Sequence, residues 1–226
     1  MKVPRSFEPI DDYYRIKVIS PYESQVELDH MNTFKIKSMC VFCGSADGLA
    51  EKYLQGAYVL GKAVAEQGMT LIYGGGRTGL MGALAEGALQ AEGKVVGIIP
   101  ENLNKPPLVH DHLTRLEVVQ NIHQRKARMN SLADAFIALP GGYGTLDELF
   151  ETLTWAQIGL HTKPVGLLNI NGYFGPLLEM IKKANDEGFI YDIHRALFVC
   201  SVDPYELLKK MHCFHHPDGL DRWVNR

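Results

Sequence analysis

Four cysteines in 226 residues are too few for a disulfide framework, and no run approaches the ~20 consecutive apolar residues of a membrane-spanning helix. A basic excess is missing too. Lys and Arg total 23 against 26 Asp and Glu, a formal charge of −3, which argues against a dedicated nucleic-acid binder. Residues 1–17 have no apolar stretch of the secretory-signal kind and are dotted with acids. Neither glycine-rich run ends in Gly-Lys-Ser/Thr, so a Walker A loop is excluded. With 46% hydrophobic and 22% charged residues, the chain has too many apolar groups to stay disordered. What remains is one sizeable globular domain able to bury a core, with a reduced, cytoplasmic setting and no membrane partner as the simplest expectation.

The few cysteines still need a reading. Cys40 and Cys43 form a C-x-x-C, a spacing used by redox and metal sites. They lie in a stretch that reads as a strand, where positions i and i+3 point to opposite faces, so two separate core thiols are expected. His212, Cys213, His215 and His216 cluster near the C-terminus, and a solvated tail is preferred there to a metal site. No metal and no cofactor is expected.

Residues 1–34 are polar, rich in Tyr and Asp and without a sustained period, and read as an N-terminal extension. From Lys35 to Met211 the pattern alternates, and 212–226 form a tail. Strands are predicted within 36–45, 70–76, 94–100, 115–120, 134–142, 163–169 and 196–201. Helices are predicted over 50–68, 80–93, 121–133, 145–159, 175–188 and 203–211, with Gly93 ending the second. Ala57, Leu60 and Val64 make one helical stripe, and Leu146, Leu149, Leu153 and Ile158 another. Several strands are apolar throughout, the mark of strands covered on both faces. Alternating strands and helices of this kind form an α/β fold, a parallel sheet wrapped by helices.

In such sheets the ligand lies beyond the carboxyl ends of the strands. Three strand ends are unusual. One carries Gly44 and Ser45, a second Gly74, Gly75, Gly76 and Gly79 followed by Met81, and a third Gly141, Gly142, Gly144 and Thr145. Glycines let a backbone approach a ligand closely, and a helix that follows at once points free N–H groups and its positive dipole end into the same space. Two such loops describe a pocket for an anion, phosphate above all. Gly74, Gly76 and Gly79 also satisfy G-x-G-x-x-G, with Glu101 downstream, so a dinucleotide site competes. Purely structural turns compete as well.

Arg125 and Lys126 bring two adjacent cations to the start of a helix, a planar fork and a point charge suited to phosphate. With Arg128 they equally describe a solvated basic face. Glu148 lies three residues after Thr145, in the first turn of the helix predicted from there. The same spacing fits a capping box, which would make Glu148 structural. Leu80, Met81, Trp155 and Ile158 could line an apolar slot for a base or could be core positions.

Residues 140–148, Pro-Gly-Gly-Tyr-Gly-Thr-Leu-Asp-Glu, resemble the P-G-G-x-G-T-x-x-E signature of the LONELY GUY family of cytokinin riboside 5′-monophosphate phosphoribohydrolases, many once labelled lysine decarboxylase-like. Residues 122–126 are similar to that family's M-H-x-R-K, with Ile122 in place of the usual Met. The likeness runs from about Met39 to Ser201. It implies a Rossmann-like or flavodoxin-like doubly wound sheet, usually dimeric, that cleaves the N-glycosidic bond of a nucleoside 5′-monophosphate. By resemblance Arg125 and Glu148 are the catalytic pair, and the glycine loops hold phosphate. Molybdenum-cofactor carriers share the fold, which keeps a binding protein as the rival reading. The older label adds a pyridoxal-phosphate decarboxylase as a third, for which no lysine stands out.

Overall fold

The computed structural model describes residues 35–220. The expected extension 1–34, and 221–226 of the tail, lie outside the described residues. Seven strands form one sheet: β1 (Ser38–Phe42), β2 (Thr70–Tyr73), β3 (Val95–Pro100), β4 (Arg115–Val119), β5 (Ala135–Ala138), β6 (Val165–Leu168) and β7 (Val199–Ser201). All neighbours pair in parallel, in the order β4-β3-β2-β1-β5-β6-β7. The helices between them are α1 (Glu51–Glu66), α2 (Gly79–Gln90), α3 (Ile122–Leu132), α4 (Tyr143–Gln157), α5 (Gly175–Asp186) and α6 (Pro204–His212). The strand β1 lies in the middle of the sheet; from it the chain builds outward to β4, then returns to place β5 on the other side of β1. That reversal opens a crevice between the loops after β1 and β5, where ligands of such sheets bind.

Strand periodicity sorts the core into two layers. Met39, Val41 and Cys43 pack with α1, α2 and α6, through residues such as Leu60, Leu84 and Leu208. Cys40 and Phe42 point the other way, onto Met129 of α3, Leu149 of α4 and Leu178 of α5. Cys40 and Cys43 are therefore two separate buried free thiols on opposite faces. Ala57, Leu60 and Val64 are fully buried, as their spacing predicts. α1 and α2 pack at backbone contact. A Cβ on Gly61 would stand 2.0 Å from the Leu84 carbonyl oxygen, and one on Gly87 2.0 Å from that of Tyr58.

Three expectations change. α2 ends at Gln90, and Glu92, with φ 58°, takes the left-handed position assigned to Gly93. Gly93 is needed for a different reason: its Cβ would lie 2.4 Å from that of Ala65 on α1. The tail is not wholly solvated, because Leu220 is buried against Ala156 and Leu197. Finally, α4 begins at Tyr143, two residues before the predicted start, with Gly142 as its N-cap. Among the described residues no helix is long and apolar enough to cross a membrane.

Candidate active site

The crevice is closed by backbone bonds between its loops. Gly44 N–H donates to the Pro140 carbonyl at 3.1 Å, and the Gly44 carbonyl accepts from the N–H groups of Leu80 and Met81 at 3.0 and 3.3 Å. Thr78 Oγ1 donates to the Ser45 carbonyl at 2.7 Å. The loop before β4 covers the other side, with Arg77 N–H on the Leu108 carbonyl and His110 N–H on that of Gly75, both at 3.0 Å. The Leu80 and Met81 amides at the start of α2 are thus already occupied. This removes the donors a pyrophosphate would need there, and the run also follows β2 instead of the first strand, so the dinucleotide reading loses its basis.

The N-terminus of α4 is different. Tyr173 Oη donates to the Gly141 carbonyl at 2.5 Å and holds the loop from the β6 side. A Cβ on Gly141 would sit 2.1 Å from Thr145 Oγ1 and 2.9 Å from the Gly44 nitrogen, so the loop folds tightly onto its own helix. With Pro140 and Gly141 held in this way, the chain turns helical from Tyr143, and Thr145 becomes the third helical residue instead of the cap. The capping box that competed for Glu148 is therefore not made, and Glu148 stands in the second turn. Within the described residues, the N–H groups of Tyr143, Gly144 and Thr145 have no acceptor outside the helix, while Leu146 N–H bonds the Gly142 carbonyl. Such unoccupied amides at a positive dipole end suit an anion.

Arg125 and Glu148 face this edge from α3 and α4. Asn121 caps α3 by accepting from Gln124 N–H at 3.0 Å, which sets the helix start and hence the direction of Arg125. The Arg125 side chain is buried and its guanidinium lies against the β2 loop, where a Cβ on Gly74 would be 1.9 Å from Nη2. Its Nε is buried without a hydrogen-bond partner among the described residues. Glu148 is 8% exposed. Burial raises its pKa to about 7; Arg125 pulls it down, Asp147 pushes it up, Lys126 pulls it down and Glu151 pushes it up. Beneath them burial, reinforced by the Glu148 charge, raises the Cys40 and Cys43 thiols well above their ordinary value, so neither offers a thiolate.

A family model described as "Possible lysine decarboxylase" matches residues 81–211. Over 177 residues the chain is 45% identical to the cytokinin riboside 5′-monophosphate phosphoribohydrolase LOG7 of Arabidopsis thaliana, covering 78% of this chain and 82% of that protein. Over 168 residues it is 52% identical to the cytokinin riboside 5′-monophosphate phosphoribohydrolase of Rhodococcoides fascians, covering 74% and 85%. The chain belongs to the cytokinin riboside 5′-monophosphate phosphoribohydrolase family. In fold this family member is also similar to the molybdenum cofactor binding protein of Rippkaea orientalis, with TM-score 0.59 and 27% identity over 78% of this chain and 98% of that one.

Not every predicted residue joins the phosphoribohydrolase crevice in the same way. Gly44, Ser45 and Gly79 fasten the β1 loop to α2, and Gly75 (φ 75°) turns the β2 loop. Met81 lies over Gly74 and Gly76, whose Cβ atoms would each come within 2.9 Å of its side chain. Of the four residues offered for a base slot, only Met81 reaches the glycine loops. Leu80 is fully buried in the core, Trp155 lies about 18 Å along α4 from Tyr143, and Ile158 is the C-cap beyond the end of that helix. Lys126 turns away from the loops, with Nζ 3.0 Å from both Asp147 Oδ2 and Glu151 Oε1. Sequence reasoning missed Asn130, Glu151 and Thr152, which with Phe42, Lys126 and Glu148 line a cavity of about 10 Å³. Helical spacing held the signal, since Glu151 and Thr152 follow Glu148 by one turn and Asn130 follows Lys126 by one turn. Tyr173 carried no sequence signal. Among the described residues no group of three or more metal-ligating side chains is assembled.

Proposed function

We propose that this family member hydrolyses the N-glycosidic bond of a nucleoside 5′-monophosphate, either a cytokinin riboside monophosphate or AMP, to free base and ribose 5-phosphate. The observation that carries this reading is a buried carboxyl, Glu148, set one turn inside a helix whose first amides are unoccupied, with the Arg125 guanidinium on the same edge. The names of its relatives support the substrate class.

In this mechanism the phosphate sits on the amides of Tyr143, Gly144 and Thr145, with Gly141 and Gly142 shaping the turn. The ribose then lies near Glu148. The C1′–N bond breaks with its electron pair passing to the base, which takes up a proton from solvent, and Glu148 later returns one to solvent. Water forms the new C1′–O bond and gives its proton to the Glu148 carboxylate, whose charge also stabilises the oxocarbenium-like centre. Arg125 favours the ionised form of Glu148 and can steady the electron pair that leaves with the base, its buried Nε being one donor available to substrate. Gly44, Ser45, Gly74, Gly75, Gly76 and Gly79 act in this scheme by shaping the crevice, with Met81 over the loop.

Incubation with AMP and with isopentenyladenosine monophosphate should release adenine or the prenylated base, read by chromatography. No base release from any purine or pyrimidine monophosphate would remove the hydrolase reading. Tight binding of a pterin or nucleotide without turnover would favour a binding protein, in line with the similarity to the molybdenum cofactor binding protein of Rippkaea orientalis.

The same reading includes a homodimer in a reducing, cytoplasmic compartment. Ile122 on α3 and Phe150 on α4, 43% and 45% exposed in the helix layer over one sheet face, supply apolar surface for a second copy. Cys40, Cys43 and Cys213 carry free thiols, in keeping with such a compartment. Sedimentation should give twice the 25.2 kDa chain mass. A monomer at micromolar concentration would contradict the dimer.

A further inference from the structure

Lys126 is the nearest sequence neighbour of Arg125, yet its ammonium belongs to α4. It is only 13% exposed and stands 3.0 Å from Asp147 and from Glu151, the residues just before and one turn after Glu148. We infer that Lys126 is a positioning residue for Glu148 and not a ligand of the substrate phosphate: its clamp on Asp147 and Glu151 fixes where the Glu148 carboxyl stands and what charge surrounds it. This rests on the reading of Glu148 as the catalytic carboxylate.

Three observations carry it. One cation is matched by two carboxylates, so the cluster is net negative and does not attract a phosphate dianion. The clamp ties the two helices that carry Arg125 and Glu148 together by two ion pairs, beside the apolar contacts under them. Lys126, Glu148 and Glu151 also share the small cavity with Asn130 and Thr152, a polar space at the lower limit of what one water needs. The ammonium keeps its charge there: burial opposes it, but the hydrogen bonds to Glu151 and Asp147 outweigh that. The charged groups facing Glu148 are Arg125 and Lys126 from α3 and Asp147 and Glu151 from α4, with the neutral thiols of Cys40 in β1 and of Cys43 just after it within electrostatic reach.

The test is carbon-detected NMR titration of the Glu148 carboxyl in the full chain, its signal assigned by loss in Glu148→Gln, with steady-state kinetics alongside. Lys126→Met should move the midpoint up by on the order of one pH unit, and the acidic limb of kcat/KM with it. Glu151→Gln, which keeps the lysine and one arm of the clamp, should move it down. Lys126→Arg should restore most of the wild-type midpoint. KM and inhibition by ribose 5-phosphate should change by less than about threefold in the lysine variants. An unmoved midpoint in folded Lys126→Met and Glu151→Gln would overturn the inference, as would a KM rising more than about tenfold with the midpoint unchanged. Midpoint shifts in a protein without turnover would uphold the clamp and count against the hydrolase reading alone.

Discussion

Glu148→Gln should lower kcat by about 10²–10³-fold while leaving nucleotide binding nearly intact, because the amide keeps the shape of the side chain but can neither carry the negative charge nor accept water's proton. The wild-type enzyme should show the complement. Its kcat/KM should climb with pH through about 7 and then level, since the active form is the carboxylate and burial holds its pKa at about 7. The stability effect has the opposite sign. Between pH 4.5 and about 7 the folded state keeps a proton that the unfolded chain releases. The contribution is therefore fully present below the unfolded pKa and lost as pH rises through the folded one, a penalty of at most about 3 kcal/mol above pH 7. Glu148→Gln should flatten that fall and be the more stable protein at pH 8, as read by denaturant midpoint. A variant less stable than wild type at pH 8, with binding lost, would return Glu148 to a structural role.

Arg125 should be as sensitive, and Gly74→Ala should reproduce its loss without touching a charge. The new methyl would occupy the place of Arg125 Nη2, 1.9 Å from where the Cβ must stand. The guanidinium has to withdraw from the β2 loop, and a displacement of about 1 Å near reacting atoms costs about 10²-fold. Gly74 has no positive φ, so the backbone itself tolerates alanine; the closest clash is with Arg125, the other being the flexible end of Met81 at 2.9 Å. Arg125→Lys should not rescue activity, since a point charge on a flexible stem cannot fill the place of a planar fork. Both variants should lower kcat/KM for AMP by about 10²-fold while the thermal midpoint stays close to wild type. Full activity in Gly74→Ala would separate Arg125 from the chemistry.

The alternation of apolar strands with amphipathic helices determined the α/β class, because each strand must be covered on two faces and each helix on one. The glycine runs marked the functional edge, and Arg125 and Glu148 stood out by motif. Local sequence could not tell which glycine loop leaves its amides unoccupied. That depends on the Gly44 carbonyl reaching Leu80 and Met81, a contact made only once β1 lies beside β2 and β5. Nor could it fix the start of α4, since Tyr143 and Gly144 have weak helix propensity and are drawn into the helix by a loop held from three sides.

The destination of Lys126 was equally out of reach. As an isolated cation beside Arg125 it suits a phosphate, and only the packing of α3 against α4 brings Asp147 and Glu151 to it. The opening scarcity of positive charge keeps its meaning in the fold. The unoccupied amides of a helix end provide the positive potential, Arg125 is held against glycine, and Lys126 is neutralised by its neighbours. Sequence by itself determined which residue types were present and at what period along each element. The tertiary structure decided which of their hydrogen-bonding and charged groups remain unspent, because that is settled by neighbours far apart in the chain.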